Sequence, residues 1–452
     1  MDLTTGSPLK KIMLFTIPLL IGNFFQQMYS FSDTLVVGRT LGENALGAVG
    51  STSSLQFLVL GFANGLTVGL AIITAQKFGA KDIDGVKRSF AMSILITFVT
   101  SIIVTILALA FLPQILHAMQ TPKVLYDDTY AFIFVIFAGI FTQMAYNLLA
   151  NVYRAVGNSV VPLVFLIVGQ VLNVILELWF ILGFHMGVAG AGYATGIAQL
   201  ASALLLILWI PRNLPELALT KADFKLTKFD FIEHARIAYP VAFQTSIIAI
   251  GSVILQMSLN ILGPQAVTAT TAASKIDQFA VLIFISLGTT MATYTAQNYG
   301  AKAFKRILDG TKYIMIAGIV SAVIFGAIEI IFADPMIAWF IDPEGNQEIF
   351  AMARSYFQVV GTTYIILSIL FVVRNVLQGA GNSLVPTLAG IGELIARVFA
   401  GLVLAPNWGY FGAMLANPLA WTASVLIMLW PFMKFINELK KLNLMKQMSK
   451  EI

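Results

Sequence analysis

The chain has 452 residues, 58 % of them hydrophobic and 11 % charged, with a mean hydropathy of +0.86 and a formal net charge of +5. A soluble domain carries about 25 % charged residues, so a soluble globule is excluded. With no cysteine there are no disulfides, thiolate metal sites or cysteine nucleophiles, and His117, His185 and His234 stand far apart in no metal-ligand spacing.

Residues 1–11 are polar and the first apolar run is too long for a signal-peptide core, so no cleavable signal is expected. Runs of about 20 apolar residues can cross a bilayer about 30 Å thick. They predict twelve transmembrane helices at 12–37, 45–76, 88–112, 128–150, 160–183, 189–210, 235–262, 268–298, 311–332, 352–373, 384–404 and 410–433. The fold expected is all-α and integral to the membrane, with two pseudo-symmetric six-helix bundles. Residues 1–211 form the N-lobe, 212–233 a cytoplasmic linker, 234–433 the C-lobe and 434–452 a basic tail. That tail is a basic amphipathic stretch, expected as a helix against anionic headgroups.

Two segments are written twice. Ala75-Gln-Lys-Phe-Gly-Ala-Lys81 returns as Ala296-Gln-Asn-Tyr-Gly-Ala-Lys302, shifted by 221, and the stretch from Asn151 to Pro162 returns from Asn375 to Pro386, shifted by 224. A looser echo pairs Pro18 with Pro240 and Leu41-Gly42 with Leu262-Gly263. Tandem membrane halves are the usual build of secondary transporters, and six helices per half orient both copies alike. Placing both termini and the even loops on one side collects 22 of the 27 Lys and Arg residues, against Arg39, Lys123 and Arg354 on the other. By the positive-inside rule both ends are cytoplasmic, in a multi-pass plasma-membrane protein. Basic residues spread over short loops require no nucleic-acid partner.

An ionised side chain at mid-bilayer costs about 2.5–3.5 kcal/mol on insertion scales, which singles out Asp33, Glu177, Lys275, Asp277, Glu329, Glu393 and Arg397. Glu393 and Arg397, at i and i+4, are expected to pair. Glu329 is expected to reach the interface; Lys275 and Asp277 either pair there or line a cavity. Gln26, Tyr29 and Asp33 share one helix face, and Asn173 and Glu177 stand one turn apart on the fifth helix, with Thr195 able to add a hydroxyl from the sixth. Such groups either glue helices together or bind a coupling ion. As a proton site they work through a carboxylate whose affinity burial raises; as a site for a hard cation such as Na+ they supply oxygens from Asp33, Asn173, Glu177 and Thr195. The repeat maps Asn173 to Arg397, Glu177 to Gly401 and Asp33 to Ile254 or Leu255, so this acidic cluster is expected in the N-terminal half alone. Candidate cargo contacts are Gln26, Met28, Tyr29, Met144, Asn147, Met257 and Met291, because Met and aromatic surfaces adapt to apolar cations. Singly, each could as well face lipid or pack.

Ile17-Pro-Leu-Leu, the run from Met28 to Gly38, Arg154-Ala-Val-Gly-Asn-Ser, Asn173-Val-Ile-Leu-Glu-Leu-Trp-Phe and Gly187-Val-Ala-Gly-Ala-Gly-Tyr-Ala-Thr195 together resemble the multidrug and toxic compound extrusion (MATE) family, over about residues 8–435. The resemblance implies two lobes in a V around a central cavity, exchanging organic, drug-like cations for protons or sodium by alternating access, with no other cofactor and as a monomer. Carried over, the coupling aspartate falls on Asp33, the fifth-helix Asn and Asp on Asn173 and Glu177, the sixth-helix Thr on Thr195, and the helix-bending proline on Pro18. Glu177 is one methylene longer than the usual Asp. Stretches 239–251 and 359–373 lack the acids that some branches carry, which points to the DinF-type branch. Alternatives are a flippase for lipid-linked saccharides, whose cavity should be cationic, a major-facilitator transporter, an intramembrane enzyme and a channel. The loop Gly79-Ala-Lys-Asp-Ile-Asp-Gly-Val-Lys-Arg88 lacks the major-facilitator signature, and neither catalytic motifs nor a filter-like loop stand out.

Overall fold

The computed structural model describes residues 1–452 except 120, 122 and 452; for 29–35, 43, 44, 46, 51, 118 and 449–451 it describes the backbone without side chains. Among the described residues every regular element is helical. In chain order these are α1 (Pro8–Leu41), α2 (Glu43–Ser51), α3 (Ser53–Gly79), α4 (Ile83–Ala118), α5 (Lys123–Ala138), α6 (Ile140–Ala155), α7 (Val160–Leu178) and α8 (Val188–Asn213). The second set is α9 (Lys228–Leu262), α10 (Pro264–Gly300), α11 (Phe304–Ile331), α12 (Ala333–Ile337), α13 (Gln347–Gly379), α14 (Leu384–Phe399), α15 (Ala405–Met414) and α16 (Ala416–Glu451). Eleven helical segments are long and apolar enough to span a bilayer, and α5 with α6, bent by 46°, makes a twelfth. The span count read from hydropathy is therefore recovered.

The duplicated motifs turn out to be helix endings. Lys81 (φ 61°) and Lys302 (φ 51°) are left-handed, as are Gly157 (φ 80°) and Gly381 (φ 91°). Each closes the same double hydrogen bond. At the first pair, Lys81 N–H donates to Phe78 O and Asp82 N–H to Lys77 O; Lys302 and Ala303 repeat this onto Tyr299 and Asn298. At the second, Gly157 and Asn158 donate to Arg154 and Tyr153, and Gly381 and Asn382 to Gln378 and Leu377. This geometry satisfies the last carbonyls of a helix and requires a positive φ. Asn158 and Asn382 then accept the N–H of Val161 (3.1 Å) and Val385 (3.4 Å), starting α7 and α14. The Gly-Asn-Ser identity is thus a stop followed by a start. A π-helical turn follows each of these helices, at Trp179–Gly183 and Ala400–Leu404.

Packing divides the chain into two compact units, Met1–Asp2 with Ile17–Ser246, and Leu3–Thr16 with Ile247–Ile452. The division falls inside α1, beside Pro18, and inside α9 past Pro240, whereas the lobes read from the sequence part at the polar connector. Both helices run through their prolines unbroken in this conformation. In the first unit, Leu66, Leu70, Phe90, Phe137, Tyr153 and Ala238 belong to one buried cluster. There α3 and α9 approach so closely that a Cβ on Gly69 would lie 2.5 Å from Ala238 Cα. Small residues permit such crossings in membranes, where apolar surface alone gives no drive to associate.

In the second unit Leu3, Ile12 and Phe15 are fully buried. Leu3 N–H donates to Gln297 Oε1 (3.0 Å), and the Arg306 guanidinium donates to the Gly6 (2.6 Å) and Leu3 (2.9 Å) carbonyls. The α11–α13 crossing is again at glycine, where a Cβ on Gly326 would lie 2.4 Å from Gly361 O. The basic tail is not a separate surface helix: α16 continues through Pro431 to Glu451, and Lys446 Nζ donates to Lys302 O at 2.9 Å.

Candidate functional site

In the first unit α7 brings Asn173 and Glu177, one turn apart, into the interior, 2 % and 0 % exposed. Asn173 Nδ2 donates to Thr195 Oγ1 at 3.1 Å, and Thr195 Oγ1 donates to the Ala191 carbonyl at 3.0 Å. Thr195, named from the sequence as able to add a hydroxyl, thus lies within hydrogen-bond reach of Asn173. Beside it lies a cavity of about 60 Å³ whose wall includes Gln26, Gln143, Asn147, Gln170, Asn173 and Gln199. One water needs about 10–15 Å³ of such space, and drug-sized ligands occupy about 300–1,000 Å³. The cavity suits an ion with a few waters. Beside Leu166, Gly169 and Ala198 its wall presents amides and hydroxyls, oxygen and nitrogen groups that can ligate a hard cation or carry a hydrogen-bonded water chain.

Gln26 and Asn147, expected to touch cargo, thus face this ion-sized space. Met144 and Met291 are both fully buried in their units, Met144 within the cluster that holds Leu148 and Tyr153. Met28 and Met257 are 39 % and 61 % exposed. The side chains of Tyr29 and Asp33 lie outside the described residues. Gln143 and Gln199 escaped the sequence reading; Gln143 with Asn147, one turn apart on α6, was the available signal. A larger recess of about 570 Å³ in the first unit, lined by Phe90, Phe98, Phe141 and Ile207 among others, holds none of the nominated cargo residues.

The second unit carries a buried acid pair of its own, apart from the positions equivalent to Asp33, Asn173 and Glu177. Asp277 of α10 and Glu329 of α11 are 8 % and 3 % exposed, and the Tyr364 hydroxyl of α13 bonds both, at 2.6 Å from Glu329 Oε2. Tyr356 donates to the other Asp277 oxygen at 3.2 Å. Glu329 therefore turns inward instead of reaching the interface, since Tyr364 offers it a partner in the interior. Lys275 points outward and is not ion-paired with Asp277 among the described residues.

Glu393 and Arg397 pair as predicted, at 3.4 Å, and Arg374 completes a buried cluster on the second Glu393 oxygen. Arg374 also donates to Ser424 Oγ (3.1 Å), and Arg397 Nε to Asn417 Oδ1 (3.3 Å). Arg374 reads as a cytoplasmic loop charge by hydropathy; in the structure α13 carries it inside.

Two units of apolar helices, each carrying the same pair of helix stops, define a duplicated multi-pass membrane protein. The particular family follows from sequence: the MatE family matches residues 18–179 and 240–403, and the chain belongs to it. It is 26 % identical over 391 residues to "Probable multidrug resistance protein YpnP" of Bacillus subtilis (strain 168), covering 85 % of each chain. It is 22 % identical to the multidrug export protein MepA of Staphylococcus saprophyticus, over 89 % of this chain and 86 % of that one. Its fold matches the outward-facing conformation of a multidrug resistance MATE family transporter of the MOP superfamily with a TM-score of 0.89, at 21 % identity, over 97 % and 98 % of the two chains. A crystal structure of MATE in the bent conformation matches with a TM-score of 0.88, at 21 % identity and the same coverage.

Proposed function

We propose that the chain is a secondary antiporter that exports organic, drug-like cations in exchange for protons or sodium by alternating access. The observation that carries this reading is the buried Asn173–Thr195 pair, with Glu177 one turn away, against an ion-sized polar cavity in a MatE-family unit. Relatives named for multidrug export supply the cargo class. Coupling is assigned to Asp33, Asn173, Glu177 and Thr195, which would hold either a proton or Na+. Binding of the ion neutralises acid in the first unit and changes its packing; reciprocal coupling then requires cargo to lower ion affinity by the same factor.

The protein is assigned to the plasma membrane as a monomer with both termini cytoplasmic. Because the chain has no cysteine, single-cysteine labelling at the termini tests that orientation directly. The coupling test uses proteoliposomes with imposed proton or sodium gradients. Wild type should move a lipophilic cation against its own gradient, while Glu177→Gln and Asn173→Ala should lose the gradient dependence yet remain folded. Gradient-driven transport undiminished in both variants would remove this site from the mechanism. The alternative is a flippase for lipid-linked saccharides, whose cavity should be cationic. Gradient-independent movement of a pyrophosphate-linked lipid in the same vesicles would establish it.

A further inference from the structure

We propose that Asp277, Tyr364 and Glu329 form a proton-binding site in the second unit, with one proton held on Glu329 and exchanged through Tyr356 with a polar cavity. Hydrogen counting carries the argument. A phenol has one hydrogen to donate and an oxygen that accepts. The Tyr364 hydroxyl is in hydrogen-bond contact with Asp277 Oδ1 and with Glu329 Oε2. Two carboxylates cannot both accept from one hydrogen, and an oxygen pressed against a bare carboxylate oxygen is repelled. One of the two carboxyls must therefore carry a proton and donate it to Tyr364.

The remaining contacts say which one. Asp277 lies against two hydroxyls, Tyr356 on Oδ2 at 3.2 Å and Tyr364 on Oδ1, so it is placed to accept twice as a carboxylate. Glu329 has the Tyr364 oxygen before it at 2.6 Å. The proton thus sits on Glu329, Tyr364 donates to Asp277, and every hydrogen in the cluster has one acceptor. No electrons move: the exchange adds or removes one H+ at a carboxyl oxygen.

A path to solvent is built in. Tyr356 also lines a cavity of about 130 Å³ with Ser252, Gln256, Ser274 and Asn417, which has room for several waters. From there the chain runs through Tyr356, Asp277 and Tyr364 to Glu329. The other ionisable groups nearby are engaged or face away. On α13, Arg354 pairs with Asp334 of α12 at 3.3 Å. Tyr410 of α15 bonds Thr270 at 3.0 Å. Glu393 and Arg397 of α14 bond each other, with Arg374, Lys434 of α16 stacks on Trp430, and Lys275 is exposed. Among the described residues no lysine or arginine is ion-paired with either acid, so a proton is the cation that balances them.

This inference does not rest on the antiport reading, since a pair that shares a proton does so whatever the protein carries. Infrared difference spectroscopy on purified, lipid-reconstituted protein tests it. At neutral pH wild type should show a carboxylic-acid carbonyl band that shifts on transfer to D₂O. Glu329→Gln should lose that band, Asp277→Asn, which frees Tyr364 to donate to Glu329, should shift or remove it, and Glu344→Gln, at an exposed acid, should leave it unchanged. Should Glu329→Gln fail to fold, Tyr364→Phe serves instead: it removes the acceptor, so the band must shift. A band that survives Glu329→Gln, or that ignores Tyr364→Phe, overturns the assignment. A band that does not shift in D₂O overturns the exchange path.

Discussion

Where α7 meets α8, Gly169, Asn173, Thr195 and Ser202 surround an open, water-sized cavity. The repeat places Glu393 and Arg397 at the positions of Gly169 and Asn173, and aligning the left-handed Gly187 with Gly409, a shift of 222, places Asn417 and Ser424 at Thr195 and Ser202; there a buried ion cluster forms, and Asn417 also lines the cavity of about 130 Å³. The interhelical hydrogen bond is kept, from Asn173 to Thr195 at 3.1 Å in one and from Arg397 to Asn417 at 3.3 Å in the other. What changes is the charge. Gly169 lets Ser202 pack directly against the α7 backbone, since a Cβ there would lie 2.1 Å from Ser202 Oγ; at the matching position Glu393 pairs with Arg397 and Arg374. One scaffold thus carries neutral amides and hydroxyls beside its cavity in one copy and a permanent internal ion cluster in the other. The second unit has placed its titratable chemistry elsewhere, on Asp277 and Glu329.

That contrast is broken most strongly at Glu393. Removing its charge leaves Arg374 and Arg397 buried and unbalanced, and breaking such a cluster costs about 3–5 kcal/mol. Glu393→Gln should lower the thermal stability of the detergent-solubilised protein steeply, while Asn173→Ala, which forfeits a neutral hydrogen bond, should cost about 1 kcal/mol. Equal losses would mean that the two positions play the same structural part. A smaller effect comes from the glycine crossings. Gly69→Ala and Gly326→Ala each drive a Cβ into backbone that has no rotamer to yield, so overpacking should cost about 1–3 kcal/mol in either unit. Limited proteolysis that reports loosening in the mutated half alone would sharpen the view of two separately packed units; loosening of both halves together would break it.

Much of this architecture was legible because membrane spans and helix stops are local. Twelve apolar runs, the motifs ending at Lys81 and Lys302, and the Gly-Asn-Ser starts each depend on a few neighbouring residues, so the sequence carries them whole. Asn173, Glu177 and Thr195 were legible one by one as polar residues on mostly apolar spans, but the hydrogen bond between Asn173 and Thr195 joins two helices and was not. Nor was the acid pair. Tyr364 meets Asp277 and Glu329 from 87 and 35 positions away, on three helices, and nothing local distinguishes an inward Glu329 from one that reaches the interface. Arg374 was misread for a related reason: hydropathy ends its span at about 373, while the helix continues to Gly379 under the stabilising ion pair with Glu393.

The smallest expected effect probes the repeat itself. Gly157 and Gly381 fill one pair of left-handed helix stops, but Lys81 and Lys302 fill the other, and a residue with a Cβ is strained there by about 1–2 kcal/mol. Glycine would relieve that strain, though its looser unfolded chain returns about 0.5–1 kcal/mol. Lys81→Gly and Lys302→Gly should therefore each stabilise the protein by only about 0.5 kcal/mol. The two changes should add, since their stops lie in separately packed units and additivity holds for sites without shared partners. Lys81→Ala keeps the Cβ and is the control: it should not stabilise. If Lys81→Gly and Lys302→Gly both destabilise, the lysines are held by their ammonium groups and not merely tolerated at the turn. The duplicated Ala-Lys ending would then preserve a charge in both copies, where the Gly-Asn-Ser ending preserves a backbone shape.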